Sequence, residues 1–351
     1  MPTPITAQQL ITLQHELPII DVRSPGEFEL GHIPGAHNMP LFNNLERTQV
    51  GTRYKNSGRD FAIELGLEYV GPKMAGFVKF AKKLAINKKL ILHCWRGGMR
   101  SASLAWLLET AGYEVFLLQG GYKEYRRFNR ESFSKATQLL VLGGYTGSGK
   151  TEILIELQKM GEQVIDLEGI AHHKGSAFGS IGQEQQPTNE QFENNLAHEW
   201  QKLDMNRRIW IEDESVTMGS NGVPDTLFAV MRTAKVLRID IPREVRAKRL
   251  VKEYACFEPS LLETSILRIQ SKLGGIVTKQ ALEALHLGDF EQVALITLIY
   301  YDKAYLNGLS KRDPKTIESL FIDEDNPAKA AILLKDYLLE GMGFSSRVPL
   351  R

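Results

Sequence analysis

KLILHCWRGGMRSASLAWLL (residues 89–108) passes from a continuously apolar run into glycines and arginines, then into apolar residues at helical spacing. Lys89–His93 is too short for a helix and apolar at successive positions, which predicts a strand buried on both faces. Ser101–Leu108 predicts a helix that stops near Gly112. Tyr113–Leu118 is the next apolar run, and upstream Pro18–Ile20 leads into Asp21-Val22-Arg23. Strand, helix, strand in that order implies a parallel sheet with crossover helices.

The same grammar returns further along. Gln138–Leu142 is a strand candidate that runs into GGYTGSGKT (residues 143–151), with more candidates at Gln163–Asp166, Arg208–Glu212 and Ala234–Ile239. From about residue 261 the pattern is helical, with Leu261, Leu262, Ile266, Ile269 and Leu273 on one face. The connector Lys123–Lys135 is polar and basic. The expected organisation is therefore an α/β parallel-sheet domain over 1–135, a P-loop α/β domain over 136–260, and a helical C-terminal extension over 261–351.

Bulk composition narrows the class. The 351 residues are 43% hydrophobic, 24% charged and 9% aromatic, ordinary globular material with enough apolar surface for two cores. Lys plus Arg number 43 against 42 Asp plus Glu, which excludes a polybasic tail or an acidic disordered chain but leaves room for a local basic patch. Two cysteines, Cys94 and Cys256, cannot build a disulfide framework or a four-cysteine zinc site, so a reducing cytoplasm is expected. No membrane span and no signal-peptide pattern is expected either.

Cys94 opens the loop His93-Cys94-Trp95-Arg96-Gly97-Gly98-Met99-Arg100-Ser101 between a strand and a helix. There, inward-pointing amides and a helix N-terminus favour a thiolate, and a thiolate is the nucleophile. Arg96 and Arg100 add positive field, while Gly97, Gly98 and Ser101 shape an anion cradle. Cys256 has no such context and reads as a structural thiol.

The upstream residues Asp21–Phe28 and Gly31–Pro40, with the Cys94 loop and Gly120-Gly121-Tyr122, resemble the rhodanese family over about residues 8–130. That resemblance implies a domain that carries sulfur or selenium on the loop cysteine, with Asp21 and Arg23 serving the fold. One feature departs from it. The loop is Cys-x5-Arg-Ser, one residue longer than the common sulfurtransferase loop and similar to the pattern of cysteine phosphatases. On this half alone, a phosphatase and a chalcogen transferase stay open.

Gly144-Tyr145-Thr146-Gly147-Ser148-Gly149-Lys150-Thr151 fits G-x-x-x-x-G-K-[ST], a pattern expected by chance in a chain of this length on the order of one or two per cent of the time. Its amides are expected to cradle a diphosphate, Lys150 to neutralise it, and Thr151 to reach a Mg²⁺ ion. The segment Ile239–Leu250 resembles the strand-to-lid region of small-metabolite kinases, which makes Arg246 and Arg249 lid candidates beside the plainer reading of a solvated basic face. Ile209–Glu214 is a Walker-B-like strand candidate. Asp166, His172 and His173 lie in the run Asp166–Gly179, where an acceptor would sit; adjacent histidines point apart and have no further His or Cys nearby, so no metal is expected there.

A rhodanese-like loop, then a P-loop, then the Asp166–Gly179 run and Tyr300-Tyr301-Asp302-Lys303-Ala304-Tyr305 together resemble the bacterial tRNA 2-selenouridine synthases across nearly the whole chain. The resemblance implies a transferase that replaces the 2-thio sulfur of the wobble uridine of certain tRNAs with selenium from selenophosphate. It also implies an S-geranylated intermediate made from geranyl diphosphate. On this reading Cys94 carries selenium and the loop Gly144–Thr151 holds the geranyl diphosphate head. The implied partners are tRNA and a selenophosphate-supplying enzyme, and the chain is expected to be a monomer with no tightly bound cofactor.

The segment Tyr122–Arg130 interleaves aromatic and basic residues, so Tyr125, Arg126, Arg127 and Arg130 are candidate tRNA contacts, and Arg243–Lys252 is a second basic stretch. Three other readings compete: a cysteine phosphatase or sulfurtransferase fused to a small-molecule kinase-like domain, a phosphatase with a regulatory P-loop domain, and a non-enzymatic chalcogen carrier.

Overall fold

A computed structural model of the chain describes residues 1–135 and 138–342. The 135/136 junction and the last nine residues of the expected helical extension lie outside the described residues. The chain forms two compact units, Met1–Ser132 with Glu193–Gln201, and Phe133–Phe192 with residues from Lys202 onward.

The first unit is built on a five-stranded sheet, β1 (Thr3–Ile5), β2 (Ile19–Asp21), β3 (His37–Asn38), β4 (Lys89–His93) and β5 (Glu114–Leu118). Its order is β1-β5-β4-β2-β3 and every pairing is parallel. Leu90 and Leu92 of β4 pack with Ile20, Leu104 and Leu108 on one face, while Ile91 packs with Ile19, Leu10, Leu118 and Tyr122 on the other. That two-sided burial is why the strand reads as an unbroken apolar run. Strand β1 contains Pro4, which an edge strand tolerates because one side of its backbone makes no ladder bonds; periodicity gives no sign of it. Chain order reverses direction across the sheet between β2 and β4, and Cys94 follows β4 at that switch point, where open parallel sheets bind ligands.

The second unit holds β6 (Leu139–Gly144), β7 (Gln163–Ile165), β8 (Ile209–Glu212), a short antiparallel pair β9 (Thr217–Met218) and β10 (Asn221–Gly222), β11 (Lys235–Asp240) and β12 (Ile317–Phe321). The main sheet runs β12-β11-β6-β8-β7, again all parallel, with β6 at its centre. Residues from 259 onward are largely helical, in segments Pro259–Arg268, Gly275–His286, Phe290–Leu309 and Pro327–Met342.

Two details differ from the sequence reading. Strand β12 interrupts the expected helical extension, because an edge strand of five residues with Glu318 and Ser319 inside it carries too little apolar signal to mark itself. Leu262, Ile266 and Ile269 are buried as the helical face requires, but Leu261 is exposed, one position off the stripe.

Candidate functional sites

Cys94 sits at the C-terminal end of β4 and is 3% exposed. Ser101 Oγ lies 3.2 Å from the Cys94 sulfur and 3.2 Å from the Gly98 carbonyl, so its single proton can be given to the sulfur. The loop is braced from behind: Tyr122 N donates to Cys94 O at 2.8 Å and Lys123 N to Trp95 O at 3.0 Å. Gly121 makes that brace possible. Its φ is +61°, and a Cβ there would stand 2.3 Å from Cys94 O and 2.6 Å from Gly97 N.

Beneath the loop, Asp21 and Arg23 are almost wholly buried. Arg23 donates to Asp21 at 2.6 Å and to Gly31 O at 2.7 Å, and its guanidinium lies 3.8 Å from the Tyr122 ring centroid. Burial raises the Asp21 carboxyl, but His93 and Arg23 outweigh it and hold it below the usual range. Burial pushes the neighbouring His93 below its ordinary value, against the pull of Asp21. Arg23 thus ties Asp21 to the turn at Gly31, in line with the fold role the sequence reading gave Asp21 and Arg23.

The two arginines of the loop part company. Arg96 is exposed. Arg100 instead donates to Glu27 at 2.7 Å, so its charge is already matched by a carboxylate. Burial raises Glu27, yet Arg100 and then Arg47 hold it ionised. Cys256 is exposed and packs in no core.

In the second unit the loop from Gly144 to Thr151 joins β6 to the helix Lys150–Lys159. It borders a cavity of about 760 Å³. Gly144, Gly147, Ser148, Gly149, Lys150 and Thr151 all line it. Lys150 is surrounded by carboxylates, with Glu214 at 3.6 Å. Burial disfavours its charge, but Glu214, Glu168, Glu212 and Asp213 more than restore it, so the ammonium is fixed in the protonated state.

Thr151 Oγ1 stands 2.9 Å from Glu168 Oε2 and 2.9 Å from Glu212 Oε1. A hydroxyl has one proton to give, so it donates to one carboxyl and accepts from the other, which must itself be protonated. The titration directions agree. Burial and then Glu214 push Glu168 up to about 8, and burial with Glu168 raises Glu212.

Away from the P-loop the cavity turns apolar. Phe178, Leu250, Tyr254, Leu262, Phe290 and Val293 lie along it. The run Tyr300–Tyr305 supplies the struts. Tyr305 accepts from Gly144 N at 3.0 Å and donates to Asp213 at 3.2 Å, and Tyr301 accepts from Ala177 N at 3.0 Å. Asp302 holds Arg246, which also donates to the P-loop carbonyl of Thr146 at 3.1 Å.

Several expected site residues sit elsewhere. Arg246 is buried as a brace for the P-loop and is not among the residues that line the cavity. Arg249 does line it, but is paired to Glu152 and Asp325, each at 2.5 Å. Asp166 caps the helix Leu167–Ala171 by accepting from Gly169 N, and burial raises its carboxyl. His172 lies in left-handed conformation against Gln185 O, and His173 is buried; neither lines the cavity. The acidic lining residue Glu168 stands out only in the structure, since one carboxylate within the run Asp166–Gly179 carries no spacing signal.

The expected tRNA patch also changes. Tyr125 is fully buried, so no base can stack on it in this conformation. Arg126 and Arg130 both donate to Glu193, at 2.9 Å each, and Arg127 donates to Glu124. No helix among the described residues is long and apolar enough to cross a membrane. No cluster of three or more His, Cys, Asp or Glu side chains among them could hold a metal.

Two family models match this chain: a rhodanese-like domain over residues 6–128, and the tRNA 2-selenouridine synthase AAA domain over residues 137–328. A tRNA 2-selenouridine synthase of Bdellovibrio bacteriovorus is 36% identical, covering 85% of this chain and 90% of that protein. Another, from Shewanella loihica, is 35% identical over 86% and 89%. A crystal structure from Thermoplasma volcanium, described as a rhodanese-related protein, is 20% identical and covers 36% of this chain and 92% of that one, with a TM-score of 0.24.

Proposed function

The chain belongs to the tRNA 2-selenouridine synthase family, and from that premise we propose that it is a tRNA-modifying transferase. It exchanges the 2-thio sulfur of a wobble 2-thiouridine for selenium from selenophosphate, through an S-geranyl intermediate made from geranyl diphosphate. The observation that carries the division of labour is the cavity of the second unit: a phosphate-binding loop at one part of its wall and an apolar lining elsewhere. A ligand with an anionic head and a hydrocarbon tail fits both, and about 760 Å³ is within the ordinary range for a small-molecule site.

In the first half-reaction the diphosphate lies on the loop amides and Lys150, whose permanent charge stabilises the leaving diphosphate. The uridine sulfur attacks the first prenyl carbon, and the carbon–oxygen bond to diphosphate breaks. Thr151 and Glu212 offer the hard oxygen donors that suit a Mg²⁺ ion arriving with the diphosphate. In the second, selenophosphate is held at the Cys94 loop and its selenium attacks C2, where the geranyl thiol leaves more readily than an unalkylated sulfur would; water then cleaves the selenium–phosphorus bond and phosphate departs. Ser101 and the braced loop hold the thiol at a fixed position. The protein works in the cytoplasm as a monomer, taking selenophosphate from the enzyme that makes it.

The decisive measurement is mass spectrometry of nucleosides from 2-thiouridine tRNA incubated with the protein, geranyl diphosphate and selenophosphate. Geranylthiouridine with the first co-substrate alone and selenouridine with both are expected. Neither product, combined with phosphate release from an aryl phosphate that depends on Cys94, would replace this reading with the phosphatase.

A further inference from the structure

The helices Asn44–Ser57 and Arg59–Val70 form a hairpin in the first unit, turned at Gly58. Gly58 has φ +95°, a conformation that L side chains avoid, and its ψ of −179° reverses the chain in one residue. Every residue from Thr52 to Phe61 is exposed. The tip thus projects from the unit and contributes nothing to its core.

Its composition is unusual for a solvated tip. Arg53, Lys55 and Arg59 face only one carboxylate within the segment, Asp60, and none of the three has an ion-pair partner among the described residues. Tyr54 is 61% and Phe61 57% exposed. Several other arginines are matched: Arg23, Arg100, Arg126, Arg246 and Arg249 have carboxylate partners. Unmatched cations beside open aromatic rings are the surface that single-stranded nucleic acid takes, phosphates on the cations and bases on the rings.

The position agrees with that use. Arg59 NH2 contacts the sulfur of Met99 at 3.8 Å, and Met99 is the first residue of the helix that follows the Cys94 loop. Ser101, two residues on, touches the thiol. On the same helix Trp106 is 61% exposed, two turns from Met99 on the same face.

We propose that the hairpin tip, with Arg53, Tyr54, Lys55, Arg59 and Phe61, binds the single-stranded loop of the RNA substrate and delivers its reacting base to Cys94. The inference rests on the tRNA reading above. Charge complementarity decides the occupant: a polyanion with stacking faces matches both halves of the surface, whereas an apolar protein partner would leave the three cations unmatched.

The test is binding of 2-thiouridine tRNA to the full-length protein by fluorescence anisotropy across a salt series. Neutralising Arg53, Lys55 and Arg59 together to Gln should flatten the slope of log affinity against log salt by about 2, since each single-strand phosphate contact contributes about 0.7. Tyr54→Ala with Phe61→Ala should weaken affinity roughly tenfold or more while leaving the slope unchanged. All five side chains are exposed, so circular-dichroism melting should match the parent and exclude misfolding. Parental affinity and slope in both variants would overturn the tip as the RNA surface. If the parent protein itself fails to bind tRNA, the tRNA reading falls and this inference with it. A variant that keeps RNA binding but loses uptake of selenium from a donor enzyme would overturn the proposal in favour of a protein partner.

Discussion

Each unit sets a glycine-containing loop between a buried parallel strand and a helix, but the two loops are built of different materials. After β4 the loop surrounds a single sulfur with backbone, one hydroxyl and a glycine brace, and one of its arginines, Arg100, is matched by Glu27. After β6 the loop surrounds an ammonium with carboxylates and borders a large cavity with apolar walls. On the proposed function, the difference separates a site for chemistry on one atom, where position of the thiol matters most, from a site for gripping a large ligand, where fixed charge and apolar area matter most.

The comparison breaks most sharply at the thiol. Cys94→Ser should lower selenouridine formation at least about a thousandfold, while nucleoside mass spectrometry shows geranylated tRNA accumulating. Selenation at parental rate would end the thiol's role in the selenium step. Lys150→Ala should lower prenyl transfer by roughly a hundredfold, yet leave tRNA that is already geranylated convertible to selenouridine. Loss of both steps would mean that the two sites do not divide the work.

Smaller effects sharpen the grip site. Phe178→Ala combined with Phe290→Ala should raise KM for geranyl diphosphate roughly tenfold, with competition by inorganic diphosphate unchanged. Equal weakening of both ligands would remove the apolar wall from tail binding. The smallest expected effect comes from Glu168. Its carboxyl is raised from the ordinary 4.5 to about 8 by burial and then Glu214. Between those values the folded protein binds more protons than the unfolded chain, so stability declines as pH rises through about 8. Glu168→Gln should therefore melt a few degrees above the parent at pH 8.5, with the gap closing toward pH 5. A gap that widens as pH falls would contradict the shared proton at Thr151.

Much of the frame was legible beforehand because buried parallel strands write continuous apolar runs. β4, β5, β6, β8 and β11 all fall where such runs were read. The strands that escaped, β1, β3, β9, β10 and β12, are edge strands or two to five residues long, and such elements leave little pattern. Basic stretches were less informative. The segment Tyr122–Arg130 looked like an RNA surface, but helical geometry turns Tyr125 inward and Glu193, far along the chain, claims Arg126 and Arg130. Charge in sequence cannot show whether a partner is waiting.

The sequence by itself determined the two loops, their order and their strand-loop-helix setting, because both chemistries need particular residues at fixed local spacing. Tertiary structure alone decided which charges remain unspent. It folded Glu193 onto one basic segment, Glu27 onto Arg100 and Asp302 onto Arg246, and left Arg53, Lys55 and Arg59 without carboxylate partners among the described residues. Ion pairing depends on distance in space, and the partners here come from 56 to 73 residues away in the chain. No local pattern encodes that separation.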